Sequence, residues 1–514
     1  MTGGRAAGTG LTGGIPPIMP ASGVNALWDS VMRDVAAGRR FAGLMATQRP
    51  DGVLLSAHIA EPGGIVIREA QLPPGATSYP ALTPRLDAAF WYERLIHDLH
   101  GISPEGHPRL APLVLPRRDD AAPRPRPGAP GGPAAIQPDE HSLPRHVMGP
   151  GLFTIPHGPV RSGVLESIEY LVETPGEDIP HLNMRVFYKH RGIEKRFEGM
   201  TPGDGLLLAE RTEGVASVAH ALAYCHAIER MSGAEVPWPA ALVRVLHAEL
   251  ERLANHLDTG TRLADAAGLA VATARFALHK ETVLRLVSRM CGSRFGRGVV
   301  VPGGVTALPR LDAADLLTEV ARLERAITGD VNAAMGTSSF LDRLRRTGPL
   351  RPERAREHGA LGPVGRASGY DDDARRGRPY DAYPALGRGD WLPHSGGDAL
   401  DRLRVRWDEA LGSLHLLRQA ADELAGVGDQ PLRADCAVVD GTVTDGRSVG
   451  WAEAPQGEVL YDLRIEEGRI TRCRPRSASF HNLVLFHEVF AGDILTDFPF
   501  IEASFGLSVA GVVL

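Results

Sequence analysis

The chain has 514 residues, 43% of them hydrophobic and 23% charged, a composition that fills two or three ordinary soluble domains. A net charge of -6, spread without a block of like charge, excludes a dedicated nucleic-acid binder. No run of roughly 18 apolar residues occurs, which excludes a direct membrane span, and the four cysteines (Cys225, Cys291, Cys436 and Cys473) form neither a CxxC pair nor a disulfide framework.

Residues 1–24 are rich in Gly, Pro and Ala and hold no apolar core of a signal peptide, so a disordered leader is expected. Residues 41–48, 51–59 and 64–72 are short, apolar and β-prone, punctuated by Asp51-Gly52 and Pro62-Gly63-Gly64 turns. A helix from about Leu86 to His100 closes a small α/β domain over 25–116. Six prolines between Ala121 and Glu140 rule out regular structure and predict a linker over 117–146 that separates two halves. The remainder, 147–514, is strand-like from Phe153 to Lys189 and then mainly helical.

Leu242, Leu246, Leu250, Leu253 and Leu257 step by four, four, three and four, one apolar stripe on a helix over 239–258. Arg244, Glu251, Arg252 and Asp258 take the opposite side. Further helices are expected over 270–291, 311–327 and 398–426, with irregular chain over 343–397 and short strands over 436–471. Cys225-His226 reads as a core thiol beside a surface or interface imidazole. The fold class is therefore α+β: a small α/β domain, then a large, mainly helical domain with peripheral strands. No phosphate-binding loop, dinucleotide fingerprint or Ser–His–Asp order is present.

Trp91-Tyr92-Glu93-Arg94 through Gly101-Ile102, followed by Gly106-His107-Pro108, resembles the C subunit of respiratory complex I. The second half is similar to the D-type component of complex I and to the large subunits of formate-hydrogenlyase-type [NiFe]-hydrogenases. The resemblance rests on pieces in a shared order: Gly158-Pro159, His190–Lys195, Arg211–His220, Glu249–Leu257, Val301–Val305, Arg366–Gly369, Glu453-Ala454-Pro455 and Asp497 with Pro499. It covers roughly residues 40–508 and implies a fused C/D-type subunit.

In the hydrogenases of that family two CxxC pairs hold nickel through soft thiolates. The four positions here read Glu213, Ala216, Ser508 and Gly511, so no metal is expected. The guanidinium that follows Glu-Ala-Pro in the family is replaced by Gln456, and the Asp before the second pair by Gly506. Glu194 and His220 match family positions. His190, Arg191, Glu194, Arg211, Glu213 and His220 are expected to line a cavity, with Glu194 and His220 able to relay protons.

The family's quinone ligands fall at Leu208 and at Ser162 or Leu165, none of which protonates a quinone, and His157 is the nearest imidazole. Quinone remains possible, its site unknown. The resemblance further implies no cofactor on this chain and a [4Fe-4S] cluster in a small iron–sulfur partner. It also implies a ferredoxin-like subunit, antiporter-like membrane subunits and a peripheral place on the cytoplasmic face of the cell membrane. The expected role is to couple electron transfer from that cluster to proton or ion movement. The alternatives are a redox-inert scaffold and a quinone-reducing subunit with a displaced site.

Overall fold

The computed structural model describes residues 17–114, 151–161, 166–387, 394–490 and 492–514. The expected linker over 117–146 lies outside them. The first unit runs β1 (Ile18–Pro20), α1 (Val24–Ala36), β2 (Arg40–Arg49), β3 (Gly52–Glu61), β4 (Gly64–Leu72), β5 (Ser78–Pro80), α2 (Phe90–His100) and β6 (Ser103–Glu105). Its sheet has the order β1-β4-β3-β2, with β1 parallel to β4 and antiparallel hairpins beyond. The end of the expected leader is thus structured: Ile18–Pro20 pairs with Ile67–Glu69, and Val24 already begins a helix. Three residues that bond to an existing edge need no apolar run of their own.

The second unit opens with an antiparallel sheet of β7 (Phe153–His157), β8 (Glu169–Thr174) and β9 (His181–Arg185). Then come α3 (Ile193–Phe197), α4 (Pro202–Ala209), α5 (Ser217–Ser232), α6 (Trp238–Ala266) and α7 (Ala270–Cys291). The small ladder of β10 (Val300–Val301) and β11 (Gly304–Val305) leads to α8 (Ala313–Met335) and α9 (Ser338–Leu344). The stretch expected to be irregular carries three short helices, α10 (Pro352–His358), α11 (Gly362–Ala367) and α12 (Ala374–Gly377), before the long α13 (Ala399–Ala425). An antiparallel sheet of β12 (Gly446–Ala454), β13 (Gly457–Glu466) and β14 (Arg469–Arg476) follows, then α14 (Ala478–Leu483) and α15 (Phe498–Phe505).

Local chemistry sets several of these boundaries. Asp312 and Asp398 cap α8 and α13 by accepting the backbone N–H three residues on. Left-handed Gly233 and Gly292 end α5 and α7. The leucine stripe of α6 is buried as its period requires, but so are Arg244 and Arg252 on the opposite side, while Glu251 and Asp258 are half-buried. Arg244 pairs with Glu229 at 2.5 Å and Asp381 at 3.0 Å, and all three side chains are inaccessible. Arg252 reaches Glu249 at 3.3 Å and Glu409 at 3.5 Å. Helix α6 is the centre of its bundle, so its charges are solvated by partner charges instead of water. His226, expected at a surface or interface, is fully buried between the Trp451 carbonyl and Asp381.

The two units are not cleanly separated. Arg40 of β2 donates to Glu458 of β13 at 2.7 Å. His58 of β3 meets Asp462 at 3.0 Å, and Tyr92 of α2 meets His481 at 3.0 Å. Glu458 also binds Arg378 at 2.8 Å and Arg476 at 2.6 Å. Burial pushes its carboxyl up, and the three guanidiniums outweigh that and hold it well below the usual carboxylate range. A proline-rich connection predicts that two segments are joined by a spacer; it carries no information about the faces they press together.

Candidate functional site

The two chain segments singled out by sequence meet. The loop after α4 carries Glu213 into the N-terminus of α5, where fully buried Ala216 is the capping position. From the other end of the unit, Gly511 sits so close that a Cβ built on it would lie 2.5 Å from Glu213 Oε2. Ser508 joins the same place: its N–H donates to Ser479 Oγ at 3.0 Å, and Ser479 Oγ donates to Glu213 Oε1 at 3.5 Å. All four degenerate ligand positions, Glu213, Ala216, Ser508 and Gly511, therefore converge.

Around Glu213 runs a chain of buried hydrogen bonds. The Thr212 hydroxyl donates to the Leu208 carbonyl at 3.2 Å, and the Tyr461 hydroxyl donates to Thr212 Oγ1 at 3.3 Å. Tyr461 has then used its proton, so His220 Nδ1–H donates to its oxygen, at 2.8 Å. This fixes the imidazole and leaves His220 Nε2 facing Glu213 Oε2 at 3.2 Å. Burial and the neighbouring Cys473 push the Tyr461 phenol far up, so it stays a neutral hydroxyl.

A nickel–iron centre does not fit this arrangement. Ala216 and Gly511 have no donor, Ser508 is spent on Glu166, and Glu213 is a hard oxygen turned to His220. The space a ligand at 511 would need is filled by the Glu213 carboxylate and Ser477 Oγ. Among the described residues no group of three or more His, Cys, Asp or Glu side chains is placed to hold a metal ion.

The six expected cavity residues fall in three places. Glu213 and His220 share the buried chain just described. Arg191 borders it, donating to the carbonyls of Thr212 and Ala510 and so tying the two segments together. His190 and Glu194 line a cleft of about 610 Å³, where Glu194 pairs with Arg474 at 2.9 Å. Arg211 belongs to neither: it is half-exposed and turns back to the Leu207 carbonyl. The sequence placed Arg211 with the others through motif position alone, and one residue along a helix end is enough to reverse a side chain's direction.

Several participants were not found by sequence. Glu166 accepts from Ser508 Oγ at 2.6 Å, Val509 N at 2.8 Å and Ala510 N at 2.9 Å, and so anchors the C-terminal loop. Tyr461, Ser477 and Ser479 come from β13 and the start of α14 and carry no motif signal. Of the quinone-related positions, Ser162 and Leu165 lie outside the described residues. Leu208 is half-buried beneath Thr212. His157 is exposed beside Arg161 and lies edge-on to Phe498.

Beside the Gly214–Val218 turn lies a smaller cavity of about 110 Å³, lined by Glu251, His247 and Asn255. Glu251 accepts the N–H groups of Val218 at 2.7 Å and Ala219 at 3.1 Å, and burial pushes its carboxyl up to about 8. Glu453, at the end of β12, is pushed up to about 7 by burial and by Asp373.

Comparison with known proteins gives two family matches: the 30 kDa subunit of respiratory-chain NADH dehydrogenase over residues 27–125, and its 49 kDa subunit over residues 267–439. Formate hydrogenlyase subunit 5 of Escherichia coli strain K12 is 29% identical over 83% of this chain and 75% of its own length. The membrane-bound hydrogenase subunit alpha of Pyrococcus furiosus is 30% identical over 67% of this chain and 83% of its own. A D-type component of the NADH-quinone oxidoreductase of Streptomyces griseus is 30% identical over 66% and 86%. Among solved structures, a chain of the archaeal membrane-bound sulfane sulfur reductase superposes with a TM-score of 0.66 at 22% identity, covering 72% of this chain and all of that one, and so shares its fold.

Proposed function

Because the chain belongs to the family that unites the 49 kDa, D-type components of NADH-quinone oxidoreductase with the large subunits of membrane-bound hydrogenases, and carries a 30 kDa-type unit before it, we propose that it serves as the corresponding subunit of a membrane-associated, complex I-like oxidoreductase. In this reading it has no nickel–iron centre of its own. It lies against an iron–sulfur subunit that carries the nearest [4Fe-4S] cluster, beside a ferredoxin-like subunit. Antiporter-like subunits anchor the assembly, with this chain on the cytoplasmic face. No described helix is long and apolar enough to cross a membrane, which agrees with attachment through partners.

The observation that carries the proposal is the replacement of thiolates by a hydrogen-bonded carboxylate–imidazole pair, Glu213 and His220, at the point where both chain segments meet. A group that takes up or releases one proton when a nearby cluster changes charge is the minimum needed to couple electron and proton transfer. Electrons would stay in the partner, and this chain would supply only the proton response.

The test is to isolate the assembled complex with Glu213→Gln, His220→Gln or Tyr461→Phe in this chain. Assembly should persist while turnover falls about tenfold or more and its pH profile shifts. If all three variants assemble and turn over as the parent does, the coupling reading is wrong and the scaffold reading stands. One observation favours that second reading: buried Arg244 and Arg366 are each paired with two carboxylates, as in a purely structural core.

A further inference from the structure

Glu213 and His220 are shut off from water: their side chains are 2% and 0% exposed. The loop that carries Glu213 nevertheless has an outer side. Gly214 and Val215, the next two residues, and Val218 of α5 line the 110 Å³ cavity, and Glu251 of α6 lines it with them. A cavity of that size has room for several water molecules. Glu251, itself half-buried, bridges the cavity and the pair. The N–H groups it accepts, from Val218 and Ala219, are those immediately before His220.

Both cations that line the cavity have a carboxylate of their own. Lys280 holds Asp258 at 2.6 Å, and Arg294 holds Glu281 at 2.7 Å. His247, one turn before Glu251 on α6, is pushed down by burial and stays a neutral imidazole. Arg252 is turned to Glu249 at 3.3 Å and Glu409 at 3.5 Å. Among the described residues Glu251 is thus received by two backbone N–H groups and by no cation. Burial favours its protonated form, and so does the like charge of Glu213 beyond the first turn of α5. The two N–H groups at the helix start and the more distant Arg252 favour the carboxylate. Burial outweighs them, which is why the carboxyl is pushed up to about 8.

We propose that Glu251 is the outer proton-exchange group of the Glu213–His220 pair: its carboxylic acid gives a proton to water in the cavity when Glu213 is neutral, and its carboxylate takes one back when Glu213 is ionised. This role rests on the reading of that pair as the proton-responding group, and adds the residue and the cavity by which the response reaches water. The proton passes between a Glu251 oxygen and a water molecule. The charge left on Glu251 replaces the charge lost at Glu213, so the two carboxyl groups together carry one negative charge in either state.

Infrared pH titration of the purified full chain tests this. The parent should show a carboxylic-acid band that disappears as pH rises through about 8 and is missing from Glu251→Gln. Glu453 and Asp493, pushed up to about 7 and about 6, give bands of their own, and the difference between parent and Glu251→Gln separates them. Glu213→Gln should move the Glu251 midpoint down, a change of roughly three- to tenfold in its dissociation constant, the effect of removing a nearby like charge. A carboxylate that only capped α5 would be ionised throughout and indifferent to position 213. The proposal is overturned if Glu251→Gln removes no such band, or if folded Glu213→Gln leaves the midpoint where it was. Neither result depends on turnover, so the coupling reading of the pair stands or falls separately. Should Glu213→Gln fail to fold, Glu251→Gln in the assembled complex carries the test. The pH profile of turnover should lose its inflection near 8, and a profile like the parent's overturns the proposal.

Discussion

The carboxylate of Glu166 receives the hydroxyl of Ser508 at 2.6 Å across 342 residues of sequence, and the next two backbone N–H groups come with it. Glu166→Ala removes all three hydrogen bonds and leaves the loop over 508–511 without an anchor. The expected loss is about 2 kcal/mol, the size of a carboxylate's hydrogen bonds to partly exposed donors. Urea unfolding followed by circular dichroism reads it directly. An unchanged midpoint would mean that the loop holds itself.

Gly511 and Glu213 are expected to be energetically coupled. Gly511→Ala forces a methyl to within 2.5 Å of Glu213 Oε2 and should destabilise by about 1–3 kcal/mol, the usual effect of overpacking. In a Glu213→Ala background the same change should cost much less. A double-mutant cycle gives the coupling, and additive effects would show that the two segments do not touch.

Cutting the chain within 115–150, through an engineered protease site, should leave two pieces that copurify. The first piece carries Arg40, His58 and Tyr92, whose partners Glu458, Asp462 and His481 are on the second. Separating them would break the buried ion pair of Arg40 with Glu458 and the buried hydrogen bonds of His58 and Tyr92. Gel filtration after cleavage shows the outcome, and two separate peaks would contradict the buried interface.

Glu251 makes stability depend on pH. Its folded pKa of about 8 lies above the ordinary 4.5, so the folded state binds the extra proton between those values. Stability therefore falls as pH rises from about 4.5 to 8 and is level above, with a slope of at most about 1.4 kcal/mol per pH unit. Glu251→Gln keeps one acceptor for the Val218 and Ala219 N–H groups and removes the titration. Thermal midpoints measured across this window should fall for the parent and flatten for the variant.

The parts of this molecule that were legible in its sequence are those set by local periodicity. The helix over 270–291 has the bounds expected of it because Gly292 stops it, and the strands over 41–48, 51–59 and 64–72 lie where turns delimit them. The polar side of α6 was misleading, since a charged face looks the same whether water or Glu229, Asp381 and Glu409 receives it. At the site, motif order brought Glu213 and His220 together with Ser508 and Gly511, but not Glu166, Tyr461 or Ser479. Those three act through contacts made by folding and belong to no local pattern.

The shared cage around Glu458 also sets a schedule for synthesis. Arg40 leaves the ribosome 418 residues before the carboxylate it will bury against, a delay of roughly 20 to 80 s at ordinary elongation rates. For that time the nascent first unit shows a basic, unfinished flank, open to chaperones or to a premature partner. A fused gene ends the wait by delivering the matching half on the same polypeptide, in equal amount and always within reach.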